Sequence, residues 1–423
     1  MNALLSSPAS VWIIAAASTL GVITRPFKLP EAVWAVLGAF ALCILGMLSW
    51  SDALMAMGKG LDVYLFLTGM MVASELARKE GLFDYLAALA AKRAGGSAKQ
   101  LFFLMYCVGT VVTVFMSNDA TAVVLTPAVL AVAHVVKADK PLPYLYICAF
   151  IANAASFVLP ISNPANLVIF QDHMPTLLNW LSRFAVPSVL SIVATYLMLR
   201  FTQRHLLTQQ IESRVDVPRL SAAGKATAYG IVVMAMVMLG ASALDVRLGF
   251  PTFCAGLVLF AAICILKRRF LGAHLAEISW AVLPLVAGLF VLVEGLQRTG
   301  VIGDLAGIVR SAATTIPAHA GWVSGAVMAV VCNLINNLPA GLIAGSALTA
   351  AHAPTTIVSA VLIGVDLGPN FSVTGSLATI LWLTALRRDG IEVTAWSFLK
   401  LGIVVTLPAL AVALAGVAIS SYM

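Results

Sequence analysis

Apolar runs of bilayer-crossing length, each about 17 to 25 residues, recur along this chain with only short polar intervals between them. Unbroken runs fall at 11–23, 29–49, 61–76, 184–200, 225–243, 251–266, 280–297 and 397–418. Four further apolar regions carry a polar interruption at their centre. Residues 101–136 and 322–350 are each long enough to enter and leave a bilayer, with breaks at Ser117-Asn118-Asp119 and from Asn333 to Pro339. Residues 143–171 and 354–385 each amount to one generous span, broken from Asn153 to Asn166 and from Gly364 to Ser376. The first pair reads as re-entrant hairpins and the second as crossing helices with unwound centres. The pattern thus predicts about ten spans plus two hairpins. Residues 81–94, with apolar positions at helical spacing and basic residues at the end, read as an interfacial helix ahead of the first hairpin.

The distribution of charge tests this count. With both termini outside, cytoplasmic segments hold all but Lys59, Arg183, Arg247, Arg298 and Arg310 of the 25 basic residues. A hairpin that crossed fully would move every later loop to the other side and blur the split, so the positive-inside rule favours re-entry. Each half then contains five crossings, an odd number, and the second half must be inverted relative to the first. The expected organisation is a first transmembrane repeat at 1–201, a cytoplasmic linker at 202–224 and an inverted repeat at 225–423. Asn153 stands as far ahead of Asn166 as Asp366 does of Thr379, each pair bracketing a Pro/Gly-rich break.

Composition narrows the class. Of 423 residues, 61% are hydrophobic and only 10% charged, against about a quarter charged in soluble domains; the expected fold is an all-α polytopic membrane protein of two inverted-topology repeats. The net charge of +7 sits at span edges, where it anchors to lipid rather than to nucleic acid. No phosphate-binding loop, dinucleotide fingerprint or HExxH motif is present, so no cofactor, metal or enzymatic role is expected. Six cysteines lie singly in apolar runs, as small buried hydrophobes.

Open backbone is costly against lipid, so the breaks must face protein or a wet cavity. They offer Asn118 and Asp119; Ser162, Asn163 and Asn166; Asn337; and Asp366, Asn370, Ser376 and Thr379. Asn118 and Asp119 are placed to cap the helix that resumes toward Pro127. Eight of these residues, Asn118, Ser162, Asn163, Asn166, Asn337, Asn370, Ser376 and Thr379, are expected to surround cargo at mid-membrane. Asp119 and Asp366 are the acids available for proton coupling, because a carboxyl whose surroundings change between two states changes its proton affinity. Glu75 and Glu294, at span ends, read as interface anchors.

The motifs SNDATAVVLTP at 117–127, LPISNPANLV at 159–168, NLINNLPAGLIAG at 333–345 and GVDLGPNFSVTGSLATILW at 364–382 resemble those of the arsenical pump membrane proteins, the arsenite efflux permeases of the ion transporter superfamily. The resemblance covers essentially the whole chain. It implies export of arsenite and antimonite across a bacterial inner membrane by proton antiport, alone or with a separate arsenite-stimulated ATPase. Neutral As(OH)3 presents three O–H donors, which amides, hydroxyls and one aspartate can accept; Cys332 is a weaker candidate ligand for arsenic. The alternative is a sodium- or proton-coupled carboxylate or anion symporter of the same repeat plan, although the paired Ser-Asn-Thr signatures of sodium–dicarboxylate carriers are replaced here by Asn118-Asp119-Ala120 and Ser162-Asn163-Pro164.

Overall fold

The structure, a computed structural model, describes residues 8–170 and 174–420. The outermost residues of the two expected repeats and residue 171, the end of one expected span, lie outside these. The first half contains α1 (Pro8–Thr24), α2 (Glu31–Ile44), α3 (Trp50–Lys59), α4 (Leu61–Lys79), α5 (Leu82–Ala94), α6 (Ala98–Met116), α7 (Thr126–Val135), α8 (Leu142–Ala154), α9 (Pro164–Phe170) and α10 (Leu177–Thr202). The second contains α11 (Ala222–Ala243), α12 (Gly249–Lys267), the single turn α13 (Gly272–Ala276), α14 (Val282–Arg298), α15 (Val301–Thr315), α16 (Pro317–Ile335), α17 (Asn337–Ala351), α18 (Thr355–Leu367), α19 (Leu377–Arg388) and α20 (Ala395–Ser420). Among the described residues the sole β-type pairing is an isolated bridge between Ser97 and Gln210.

The two halves match at the level of single residues. Glu75 and Glu294, Lys79 and Arg298, Gly81 and Gly300, Ser117 and Asn336, and Asn118 and Asn337 all correspond at one constant offset. The glycines explain one shared feature: Gly81 (φ 73°) and Gly300 (φ 88°) adopt the left-handed turn that ends α4 and α14 and starts the next helix. The long helices α10 and α20, each with an internal proline (Pro187 and Pro408), pack against one another.

Packing across the halves is reciprocal as well. Helix α4 lies on α12 while α14 lies on α2, and these pairs with α1 and α11 form a frame. Glycines allow the closest approach: a Cβ on Gly256 would stand 2.8 Å from the Gly69 Cα, the small-residue contact by which membrane helices gain dispersion energy.

Ion pairs fix the sense of the inversion. At the end of α4, Arg78 bonds Glu75 and Glu277, Lys79 bonds Glu277 at 2.5 Å, and Lys267 bonds the nearly buried Glu80 at 2.5 Å. At the end of α14, Arg298 bonds Asp52 at 2.8 Å and Glu294 bonds Lys59 at 2.7 Å. Lys59 immediately precedes the start of α4, so the two clusters sit at opposite ends of a helix about 28 Å long. Helices α4 and α14 therefore run in opposite directions. Glu75 and Glu294, expected as interface anchors, are partners in these clusters at the ends of α4 and α14.

Two expectations need correction, and one helix was not expected. The expected span 29–49 ends at Ile44, turns, and continues as α3, which meets α4 at a 51° bend. Helix α5 is not spread on the interface: its Leu82, Phe83, Ala87, Ala90 and Ala91 are buried, and it packs against both arms of the first hairpin. Its counterpart α15, which the hydropathy reading did not register, packs on α17 and meets α14 at 77°.

Candidate functional site

Both hairpins turn on strained backbone. Ser117 (φ 121°, ψ 162°) and Asn336 (φ 71°, ψ 153°) occupy a region that is normally glycine-only, at corresponding positions in the two halves. Each turn delivers an asparagine, Asn118 or Asn337, at the start of the returning arm. In the first hairpin the return begins with a wide π-type turn over Ala120–Leu125, the kind of helical irregularity often found at functional sites. In the second, the Asn336 side chain accepts from Leu338 N and caps α17.

The broken spans resume by corresponding caps. Asn163 Oδ1 accepts from Ala165 N at the start of α9, and Ser376 Oγ accepts from Thr379 N at the start of α19. Each second half-helix packs on the hairpin of the other repeat, α9 on α17 and α19 on the π-type turn. This exchange brings all four breaks to one place. A cavity of about 20 Å³ is lined by Asn118, Asp119, Asn163, Asn337 and Ser376, together with Leu67, Pro164, Val282, Leu338 and Ala378. That volume admits roughly one water. No Lys or Arg is among the described residues that line it. The Oδ1 of Asn118 is buried and has no hydrogen-bond partner among the described residues.

Asp119 does not cap the helix, contrary to expectation; its side chain makes no cap bond and lines the cavity instead. The cap atom at this break is Ser117 Oγ, which accepts from Ala120 N.

The remaining expected residues lie behind the cavity wall. Ser162 donates to Val114 O at 2.9 Å and ties the first broken span to its own hairpin. Asn166 donates to Ser156 O at 3.0 Å and so holds the unwound stretch together. Asn370 donates to Phe150 O and accepts from Asn153, joining the two broken spans. Thr379 bonds Ser376 at 2.9 Å. Asp366 is fully buried; its Oδ1 accepts from Asn163 Nδ2 at 2.8 Å, and its Oδ2 has no hydrogen-bond partner among the described residues. Cys332 is fully buried in α16 and is not part of the lining. The lining residues Leu67, Val282 and Leu338 carried no signal in the sequence because apolar side chains within a span are indistinguishable from lipid-facing ones. Asn333 was visible as a polar residue in a span, and it bridges α16 to Gly368 O and Ser372.

A larger recess of about 370 Å³ lies at the frame side of α9 and α10, bordered by Asp62, Leu167, Asn179, Asp245 and Arg247. It adjoins the start of α4, the face that the charge rule assigns to the outside.

The citrate transporter family, CitMHS, matches residues 12–365 of this chain. The chain belongs to that family. Among its relatives are an arsenical pump membrane protein of Escherichia coli, 27% identical over 94% of this chain and 95% of its own length, and an uncharacterized transporter of Mycobacterium tuberculosis, 25% identical over 91% and 92%. The motif resemblance to arsenical pump membrane proteins is therefore borne out along nearly the whole chain. The solved structure of the Alcanivorax borkumensis YdaH transporter shares the fold, with a TM-score of 0.59 over 99% of this chain and 97% of that one at 16% identity. Family and fold make the protein a multi-span helical membrane transporter with bacterial relatives.

Proposed function

We propose that the protein exports arsenite, with antimonite as a second cargo, across the bacterial inner membrane in exchange for protons, by alternating access. The observation that carries this reading is the chemistry of the cavity wall: three asparagines, one serine and one aspartate, without a cationic side chain among the described lining residues. Uncharged As(OH)3 brings three O–H donors to such a wall, and the buried Asn118 Oδ1 is an acceptor in waiting. Similarity to the Escherichia coli arsenical pump membrane protein over most of both chains supports the same cargo.

In this reading the repeats 1–201 and 225–423 join through the cytoplasmic linker 202–224, with both termini periplasmic. Cargo enters from the cytoplasm as an aspartate of the polar core, Asp119 or Asp366, gives up its proton. The hairpin bundle then shifts against the frame, and an external proton displaces cargo into the recess beside Leu167. The cycle requires no ATPase.

The family's name favours a second reading, a carboxylate symporter. Citrate carries charges that would have to be met by helix ends or bound cations in this cavity. Uptake into everted membrane vesicles without nucleotide separates the two. Arsenite accumulation driven by an acid interior supports export. Sodium- or proton-driven citrate movement, with no arsenite accumulation, would establish the symporter instead.

A further inference from the structure

Asp119 and Asp366 are the two acids of the polar core, and the pseudo-symmetry gives them unlike neighbours. Asp119 corresponds to Leu338, and both line the cavity. The corresponding hairpin positions thus differ in charge at the surface that cargo would touch. Asp366 corresponds to Asn153, by the offset that also relates Asn163 to Ser376 and Asn166 to Thr379. Neither Asn153 nor Asp366 lines the cavity; both are fully buried, and each bonds a broken span of the other repeat, Asn153 to Asn370 at 2.9 Å and Asp366 to Asn163 at 2.8 Å. In one half of the molecule, then, this place is filled by an amide.

We infer that the acids divide the work: Asp119 exchanges the proton at the cavity, and Asp366 is a positioning residue that orients Asn163. This rests on the proposed antiport. The Asn163 amide is held from both sides, its Nδ2 by Asp366 and its Oδ1 by Ala165 N, so its face toward the cavity is fixed only while both partners are present. An asparagine at 366 keeps an oxygen for Asn163 Nδ2, and its amide nitrogen takes the place of Asp366 Oδ2, which has no hydrogen-bond partner among the described residues. An alanine at 366 leaves the Asn163 donor unpaired.

The test compares Asp366→Asn, Asp366→Ala and Asp119→Asn in proteoliposomes by two assays: arsenite counterflow, which needs no net proton movement, and arsenite uptake driven by a pH gradient. Asp366→Asn is expected to retain gradient-driven uptake within about threefold and to keep the wild-type pH profile. Asp366→Ala is expected to lose at least tenfold in both assays, the loss being rescued by asparagine. Asp119→Asn is expected to keep counterflow at a reduced rate and to lose gradient-driven uptake. If the alanine variant fails to fold, the two asparagine variants still decide the matter. Gradient-driven uptake abolished in Asp366→Asn with counterflow intact overturns the division, as does gradient-driven uptake surviving in Asp119→Asn. A wild type that moves no arsenite in either assay overturns the proposed function and the division together.

Discussion

Asn163 and Asp366, separated by 203 positions in the chain, meet at 2.8 Å in the centre of the protein and join the broken span of one repeat to that of the other. The bond is buried on both sides. Removing the carboxyl leaves a buried amide donor without a partner, which costs on the order of 1–3 kcal/mol. Asp366→Ala is therefore expected to unfold at lower temperature than wild type in detergent, while Asp366→Asn, which keeps an acceptor, is expected to unfold close to wild type. Thermal melts followed by intrinsic tryptophan fluorescence provide the comparison; equal destabilisation of the two variants would deny the bond this role.

The hairpin tips store strain. Ser117 and Asn336 hold backbone angles that non-glycine residues adopt at a cost of about 1–3 kcal/mol each. Glycine at either position removes that cost and is expected to raise the melting temperature, the gain being reduced at both by loss of the cap bond that Ser117 Oγ accepts from Ala120 N and Asn336 Oδ1 accepts from Leu338 N. Valine at either position is expected to abolish the folded state. The melting temperatures of the two glycine variants check the sign, and a fall at Ser117→Gly would contradict it.

The frame depends on glycine at its closest crossing. Alanine at Gly256 would put a Cβ 2.8 Å from the Gly69 Cα, and forced overpacking of this kind typically costs about 1–3 kcal/mol. Gly256→Ala is expected to lower stability, whereas Gly240→Ala, where a Cβ meets nothing within 4 Å, is expected to be neutral or mildly stabilising. The pair of melts distinguishes a packing constraint from a general intolerance of substitution.

The ion clusters predict a dependence on acid. Bonds from Lys79 and Arg78 hold the Glu277 carboxyl below its ordinary value, and bonds from Ser49 and Arg298 do the same for Asp52. A group depressed in the folded protein stabilises above its unfolded pKa and ceases to do so as the pH falls through the folded one. The contribution is therefore complete near neutrality and fades below about pH 4. Asp52→Asn and Glu277→Gln are expected to lower the melting temperature slightly at pH 7 in low salt, with smaller differences in high salt or at pH 3. A constant difference across both conditions would mean that the clusters do not act electrostatically.

Much of this architecture was legible from polar residues placed where lipid forbids them. Ser117, Asn118, Asn163, Asn337 and Asp366 stand out because an unpaired polar group in an apolar span is too costly to be incidental. Parity and the basic residues then gave the inversion, which the opposed clusters of α4 and α14 bear out. Helix α15 was hidden because Arg310 and Asp304 dilute its hydropathy. The separation of Asp119 from Asp366 was equally hidden. Which residue faces the cavity depends on the path of the chain through each break, and a list of polar positions does not contain that path. Two residues beyond the strained backbone of Ser117, Asp119 stands in the cavity wall and makes no cap bond.

The central claim is an exchange of arsenite for protons at the cavity that these breaks surround. Its most direct measurement is the internal pH of proteoliposomes carrying the purified protein and an acid interior, followed with an entrapped dye as arsenite is added outside without nucleotide or sodium. Prompt alkalinisation of the interior on adding arsenite, absent in Asp119→Asn, is the predicted result; an interior pH unmoved by arsenite, in vesicles shown to take arsenite up, would contradict the account.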